Sequence, residues 1–133
     1  GELFAWQLIR FGALKNADII IPIPLHPLRL KKRGYNQSEQ ISKGLASVLK
    51  LPVSTQHLVR TENTESQTKK SRFARYENLK DAFIIKNTSE LIQKHIILVD
   101  DVMTTGATVE ACSIELLKIE GLKITICTLA YAE

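Results

Sequence analysis

HIILVDDVMTTGATVEAC, residues His95 to Cys112, decides the reading of this chain. An apolar run ends in two adjacent carboxylates, Asp100 and Asp101, and threonines then follow around a glycine. Neighbouring carboxylates repel each other unless water, a cation or hydroxyl donors absorb their charge. The run HIILVD reads as a strand, and TTGATVEACSIELLKIEG reads as a loop and a helix with Gly121 in the C′ position. In an open α/β sheet, ligands bind beyond the carboxyl ends of the strands, where a loop leads into the next helix. The backbone amides of Thr104, Thr105, Gly106, Ala107 and Thr108 are therefore expected to gather at a helix amino terminus, which favours an anion. Hydroxyls from Thr104, Thr105 and Thr108 add donors, and Gly106 lacks the Cβ that would hold the backbone away. Carboxylates hold phosphate poorly but suit vicinal hydroxyls or the water shell of Mg²⁺. The implied ligand is a sugar phosphate, with Asp100 and Asp101 at its ring hydroxyls. Strand alternation would turn one acid toward the ligand and the other toward loop backbone or metal-bound water.

Working outward, the flanks supply the rest of an α/β domain. Leu3, Phe4, Leu8 and Phe11 recur at near-helical spacing, so the chain opens on an amphipathic helix. Ile19 to Ile23 is a short apolar strand, which the prolines force out of the sheet near Pro24. Asn36 with Glu39 three residues on is a capping-box pattern, and Ile41, Leu45, Val48 and Leu49 define a helix that ends before Pro52. PVSTQHLVR, DAFIIK and KITICTLAYA read as further strands. Arg60 to Lys80 is polar enough to be a long loop, with a short helix around Arg72 to Asn78. Strands alternating with helices indicate one α/β domain with a mostly parallel sheet, spanning residues 1–133.

Composition narrows the function classes. The net charge of +4 suits polyanionic partners. Its distribution is uneven, because PLRLKKRGYNQ and SQTKKSRFARYENLK carry much of the basic charge. The bland reading of both is a solvated basic surface. Cys112 and Cys127 show no CxxC spacing and are read as buried thiols in a reducing compartment. No apolar run approaches the ~18 residues of a membrane span, and there is no signal-peptide layout, so a cytoplasmic protein is expected. Because the chain begins at Gly1, a longer protein is expected to precede it.

Competing phosphate motifs fit less well. There is neither GxxxxGK[ST] nor GxGxxG. A receiver domain has an acidic pair after a strand but not the threonine and glycine run. The bland alternative is an acidic strand end followed by a threonine-rich helix cap.

At these residues the sequence resembles the type I phosphoribosyltransferases, whose signature is an apolar strand, two acids and a T-T-G-x-T loop; ILVDDVMTTGAT matches it throughout. With IPIPLHPLRLKKRGYNQSEQIS and RTENTESQTKKSRFARYENLKDAF in the same order, the chain is similar to the ComF family of competence-associated phosphoribosyltransferase-like proteins. The resemblance covers Ile19 to Ala130 and implies a type I phosphoribosyltransferase-like fold, with helices flanking a mostly parallel sheet. It also implies an amino-terminal cysteine-rich, zinc-binding segment that these residues do not contain.

The implied ligand is phosphoribosyl pyrophosphate with Mg²⁺. Asp100 and Asp101 would hold the ribose hydroxyls and, through water, the metal, while Thr104 to Thr108 would hold the 5-phosphate. Pro24, Leu25, His26 and Arg33, with Arg29 and Gly34, would form the pyrophosphate loop, and Gln67, Arg72 and Arg75 would contact the substrate from a closing loop. His26 also reads as an ordinary loop histidine, and Arg33 as the partner of a surface acid. The acceptor stays open between a nucleobase and an amine. So does the alternative of a non-catalytic sugar-phosphate module working with DNA-uptake or other nucleic-acid machinery, and so does a homodimer.

Overall fold

The computed structural model describes residues 2–10, 12, 14–61, 79 and 82–133. Strand β1 (Ile19–Pro22), strand β4 (His95–Met103) and strand β5 (Lys123–Tyr131) form a parallel sheet in the order β1-β4-β5. A second, antiparallel pair joins β2 (Leu58–Arg60) to β3 (Phe83–Ile85). The predicted strand PVSTQHLVR is thus divided. Val53 makes one parallel bridge to Ile20 on the open side of β1, and only Leu58–Arg60 continues as a strand, in the other sheet.

Central strand β4 is apolar throughout its first half because it is covered on both faces. Ile96 and Leu98 enter one core with Ile21, Cys112 and Leu116; Ile97 and Val99 enter another with Ile20, Ile41 and Leu45. Fully burying side chains of this size contributes roughly 1.5–3 kcal/mol each. The first core is closed by helix α4 (Ala107–Leu116) and the β2–β3 pair, and the second by α1 (Glu2–Arg10) and α3 (Gln37–Leu49). Within α1, Ala5 is buried and Phe4 and Leu8 pack inward, whereas Leu3 is exposed.

Proline sets where β1 ends. The amide of Ile20 points away from β4, to Pro52 O, while that of Ile23 points toward it, to Val99 O. Pro22 therefore lacks its N–H on the side away from β4, so the shared ladder is spared and the opposite side cannot extend.

Local chemistry explains the helix ends. Asn36 caps α3 by accepting the Ser38 amide at 3.1 Å. The capping box is half realised, because Glu39 pairs instead with Lys43 at 3.0 Å. Gly121 is not the C′ residue of the last helix. Helix α4 stops at Leu116 and its end tightens through Ile119 N to Leu116 O at 3.0 Å, so Gly121, at φ +68°, serves a later turn. A 3₁₀ turn, Thr88–Leu91, buries Leu91 between β3 and β4 in sequence. The loop read from Arg60 to Lys80 and its short helix fall almost wholly outside the described residues.

Candidate functional site

The chain leaves β1 toward α3, on one face of the sheet, and leaves β4 toward α4, on the other. Consecutive loops that diverge in this way open a crevice at the carboxyl edge, the position where α/β sheets bind ligands. Strand β4 outlasts its neighbour: Pro22 pairs with Val99, and beyond it β1 has no residue opposite Asp100.

The strand read as ending at the acids runs past them. Both acids lie within β4, which continues to Met103. Both line one cleft of about 160 Å³ with Arg29, Ser38, Arg60 and Thr108, and Asp100 also borders the smaller cavity beside it. Each carboxylate also accepts the amide of the next residue: Asp100 Oδ1 that of Asp101 at 2.9 Å, and Asp101 Oδ1 that of Val102 at 2.8 Å.

Burial pushes the Asp100 carboxyl up to about 6, with the neighbouring Asp101 adding to the rise; the Asp101 amide and the Ser38 hydroxyl work in the other direction. Asp100 is thus held in a state that an added cation or hydroxyl donor would relieve.

Beside it, Thr104 to Thr108 fold around a cavity of about 40 Å³ that Asp100 and Val102 complete. Gly106 stands at φ +80°, a left-handed conformation that costs an L side chain energy. An added Cβ would meet only Met103 Sδ, at 3.8 Å, so backbone conformation rather than crowding calls for glycine. The opening turn of α4 carries amides with no intrahelical acceptor. The cradle is narrower than expected in one respect: Thr105 Oγ1 already accepts the Ala107 amide at 3.3 Å. Asp100, Val102 and Thr108 border both cavities.

Of the residues expected to follow β1, Pro24 and Leu25 line the cleft. His26 is buried and caps helix α2 (Pro27–Arg33), its Nδ1 accepting the Leu28 amide at 3.0 Å. Arg33 is exposed and donates to Gln37 Oε1 at 2.9 Å, whereas Arg29 of the same helix lines the cleft. Gln67, Arg72 and Arg75 lie outside the described residues.

Sequence reasoning missed Arg60 and Ser38. Arg60 ends β2, stacks its guanidinium 5.4 Å from the Phe83 ring centroid, and has a buried Nε without a partner among the described residues. Burial and the nearby Arg29 both push its pKa down, the mark of two cations set close together. The only hint in the sequence was an arginine closing an apolar run. Ser38 sat in an ordinary helix start.

Among the described residues no group of three or more His, Cys, Asp or Glu side chains is placed to hold a metal ion. The acid pair fits Mg²⁺ in a different manner, since that ion keeps most of its waters and binds through one or two carboxylates plus substrate phosphates. Both cysteines are buried free thiols; burial raises Cys112 strongly and Cys127 to about 11. A larger hollow of about 550 Å³, bordered by Phe83, Ile84, Ile92 and Ile119, contains neither the acids nor the threonines.

A diverging-loop crevice with an acid pair and a threonine cradle at the end of its central strand defines a phosphoribosyltransferase-type domain. Residues 30–133 match the phosphoribosyl transferase domain family, to which the chain belongs. Its fold is similar to that of the purine phosphoribosyltransferase of Pyrococcus horikoshii, with a TM-score of 0.58 at 19% identity, covering 97% of this chain and 71% of that one.

Within the family the chain is a ComF-type phosphoribosyltransferase-like protein. It is 37% identical over 124 residues to competence protein F of Haemophilus influenzae, covering 92% of this chain and 54% of the relative. Against DNA utilization protein YhgH of Escherichia coli K12 the identity is 35% over 100 residues, covering 75% and 43% respectively. Competence protein ComFC of Bacillus subtilis is 35% identical over 90 residues, or 68% and 34%. The chain thus spans about half, or less, of the relatives it matches. No described helix is long and apolar enough to cross a membrane.

Proposed function

We propose that this domain binds phosphoribosyl pyrophosphate together with Mg²⁺ and transfers its phosphoribose to a nucleobase or amine. The observation that carries the reading is a pair of unlike cavities that share Asp100, Val102 and Thr108. A cradle of hydroxyls and amides suits a terminal phosphate, and an adjoining cleft is lined by two carboxylates and two arginines. A sugar phosphate with a second anionic group spans that arrangement.

In this reading Thr104 to Thr108 hold the 5-phosphate, and Asp100 and Asp101 accept hydrogen bonds from the ribose hydroxyls. Arg29 and Arg60 face the pyrophosphate. As the bond from the anomeric carbon to pyrophosphate lengthens, negative charge collects on the leaving group, where the arginines stabilise it. Positive charge on the sugar develops next to the acid pair. The acceptor nitrogen attacks the anomeric carbon and loses its proton, so no protein nucleophile takes part. Mg²⁺, when bound, supplies further charge neutralisation on the pyrophosphate.

A second reading keeps the pocket but not the turnover: a sugar-phosphate-binding module in DNA-uptake machinery, as the relatives' names as competence and DNA utilization proteins suggest. Titration calorimetry with phosphoribosyl pyrophosphate, with and without Mg²⁺, tests what both readings share. Metal-dependent micromolar binding supports the pocket, and no heat at millimolar ligand rejects it. Release of pyrophosphate with any member of a nucleobase and amine panel then favours the transferase, and binding with no release favours the module.

A further inference from the structure

A polar cluster lies apart from the cleft and the threonine cradle. Ser54 Oγ stands 2.6 Å from His57 Nδ1, and His57 Nε2 stands 2.8 Å from Glu90 Oε2. His57 is buried, whereas Ser54 is half-buried and is followed by the exposed Thr55 and Gln56.

The fold brings these three residues together from separate elements. Ile20 N donates to Pro52 O and Ser54 N donates to Ile20 O, each at 2.9 Å, which pins the segment before the serine to the open side of β1. Lys86 N donates to His57 O at 2.8 Å, so His57 lies beside the end of β3, where the chain turns into the 3₁₀ segment that carries Glu90. Ile20 pairs with Ile97, three residues before Asp100, which sets the cluster about 10 Å back along the sheet from the acids.

The partners assign the protons. A carboxylate only accepts, so in the neutral ring Nε2 carries the proton and Nδ1 presents its lone pair. Ser54 then donates its hydroxyl proton to Nδ1, while its oxygen accepts the Gln56 amide at 3.3 Å. A nucleophile against a base that a third group orients is the arrangement that activates serine. The ring nitrogens are exchanged relative to the commoner Ser-His-acid sites, yet either takes the proton once the other is held. A turn alone would not need Glu90: Ser54 and the Gln56 amide close it locally, and the carboxylate reaches His57 from 33 residues away.

We propose that Ser54, His57 and Glu90 form a second, acyl-transfer centre that hydrolyses small carboxylic esters. Ser54 Oγ bonds to the ester carbonyl carbon as its proton passes to Nδ1, and the Glu90 carboxylate at Nε2 steadies the imidazolium. The carbonyl re-forms as the bond to the alcohol oxygen breaks, and that oxygen takes the proton from Nδ1. Water then attacks the acyl-serine with His57 again as base, releasing the acid and restoring Ser54. Exposure sets the substrate class, because the turn beside Ser54 is open to a compact acyl group arriving from solvent.

Treating the whole chain with a fluorophosphonate probe and mapping the adduct by peptide mass spectrometry tests the centre directly. Ser54 should be the modified residue. With p-nitrophenyl acetate, p-nitrophenolate should appear in a burst equal to the protein concentration, and Ser54→Ala should abolish it. His57→Gln should slow acylation roughly a hundredfold or more. Because His57 is buried, Glu90→Gln at an exposed position is the companion variant: kcat should fall roughly tenfold or more with KM unchanged, and Glu90→Asp should recover part of it. An unmodified Ser54 in the native chain, or a burst that persists in Ser54→Ala, would overturn the proposal.

Discussion

The Asp101 amide donates to Asp100 Oδ1 at 2.9 Å while the Asp101 carboxylate raises the pKa of the same Asp100 group. One residue thus steadies the Asp100 charge through its backbone and opposes it through its side chain. Desolvation outweighs the amide and leaves Asp100 titrating near 6. The pair is held ready for a partner rather than satisfied by the fold.

Asp100→Asn should stabilise the empty protein. An acid whose folded pKa exceeds its unfolded value binds more protons when native, so its contribution is greatest at low pH and is lost as pH rises through about 6. Allowing for solvent screening of a half-exposed group, the variant should gain on the order of 1 kcal/mol at pH 7 and less at pH 5. Urea unfolding of both proteins across that range measures the difference. A gap that fails to widen toward pH 7 contradicts the assignment.

Ligand binding near pH 6 should release a proton from Asp100, because hydroxyl donors and a cation favour its charged form. Calorimetry in buffers of different ionisation heat reads this directly. Identical heats in all buffers would count against Asp100 as a ligand-facing acid.

Arg60→Ala should weaken phosphoribosyl pyrophosphate binding by tenfold or more, and Arg60→Lys should recover only part of it. Lysine restores charge but not the planar fork or the stack on Phe83. Wild-type affinity in the alanine variant would remove Arg60 from the site.

Gly106→Ala should cost about 1–2 kcal/mol of stability, from the left-handed backbone alone. Gly106→Asn should cost less, since asparagine tolerates that region better. Thermal unfolding compares them, and an alanine variant as stable as wild type would show that the loop adopts another conformation.

Asn36 ties two parts of the crevice together, accepting the Ser38 amide and donating to Ile23 O at 3.0 Å. Asn36→Ala should lose about 1–2 kcal/mol, and Asn36→Asp, which keeps the cap acceptor, should lose less. Equal loss in both would assign the effect to the Ile23 bond instead.

What could be read from the sequence was local. The strand that carries the acids, the glycine at 106 in the loop after it and the cap at Asn36 depend on near neighbours, and each was legible from residue type and spacing. Cys112 and Cys127 read as buried thiols for the same reason.

The tertiary structure decided everything that depended on which strand lies beside which. Pro22 ends β1 opposite Val99, so β4 outlasts it on that side, and Asp100 and Asp101 both border the cleft that opens there. Arg60 and Ser38 are far apart in the chain, and only the meeting of β2, α3 and β4 around one cleft sets them by Asp100. The sequence by itself determined which side chains have binding chemistry, because that chemistry is intrinsic to each residue. Which of them share a site was decided by packing, since proximity across the sheet follows from strand order, strand length and the opposite departures of two loops.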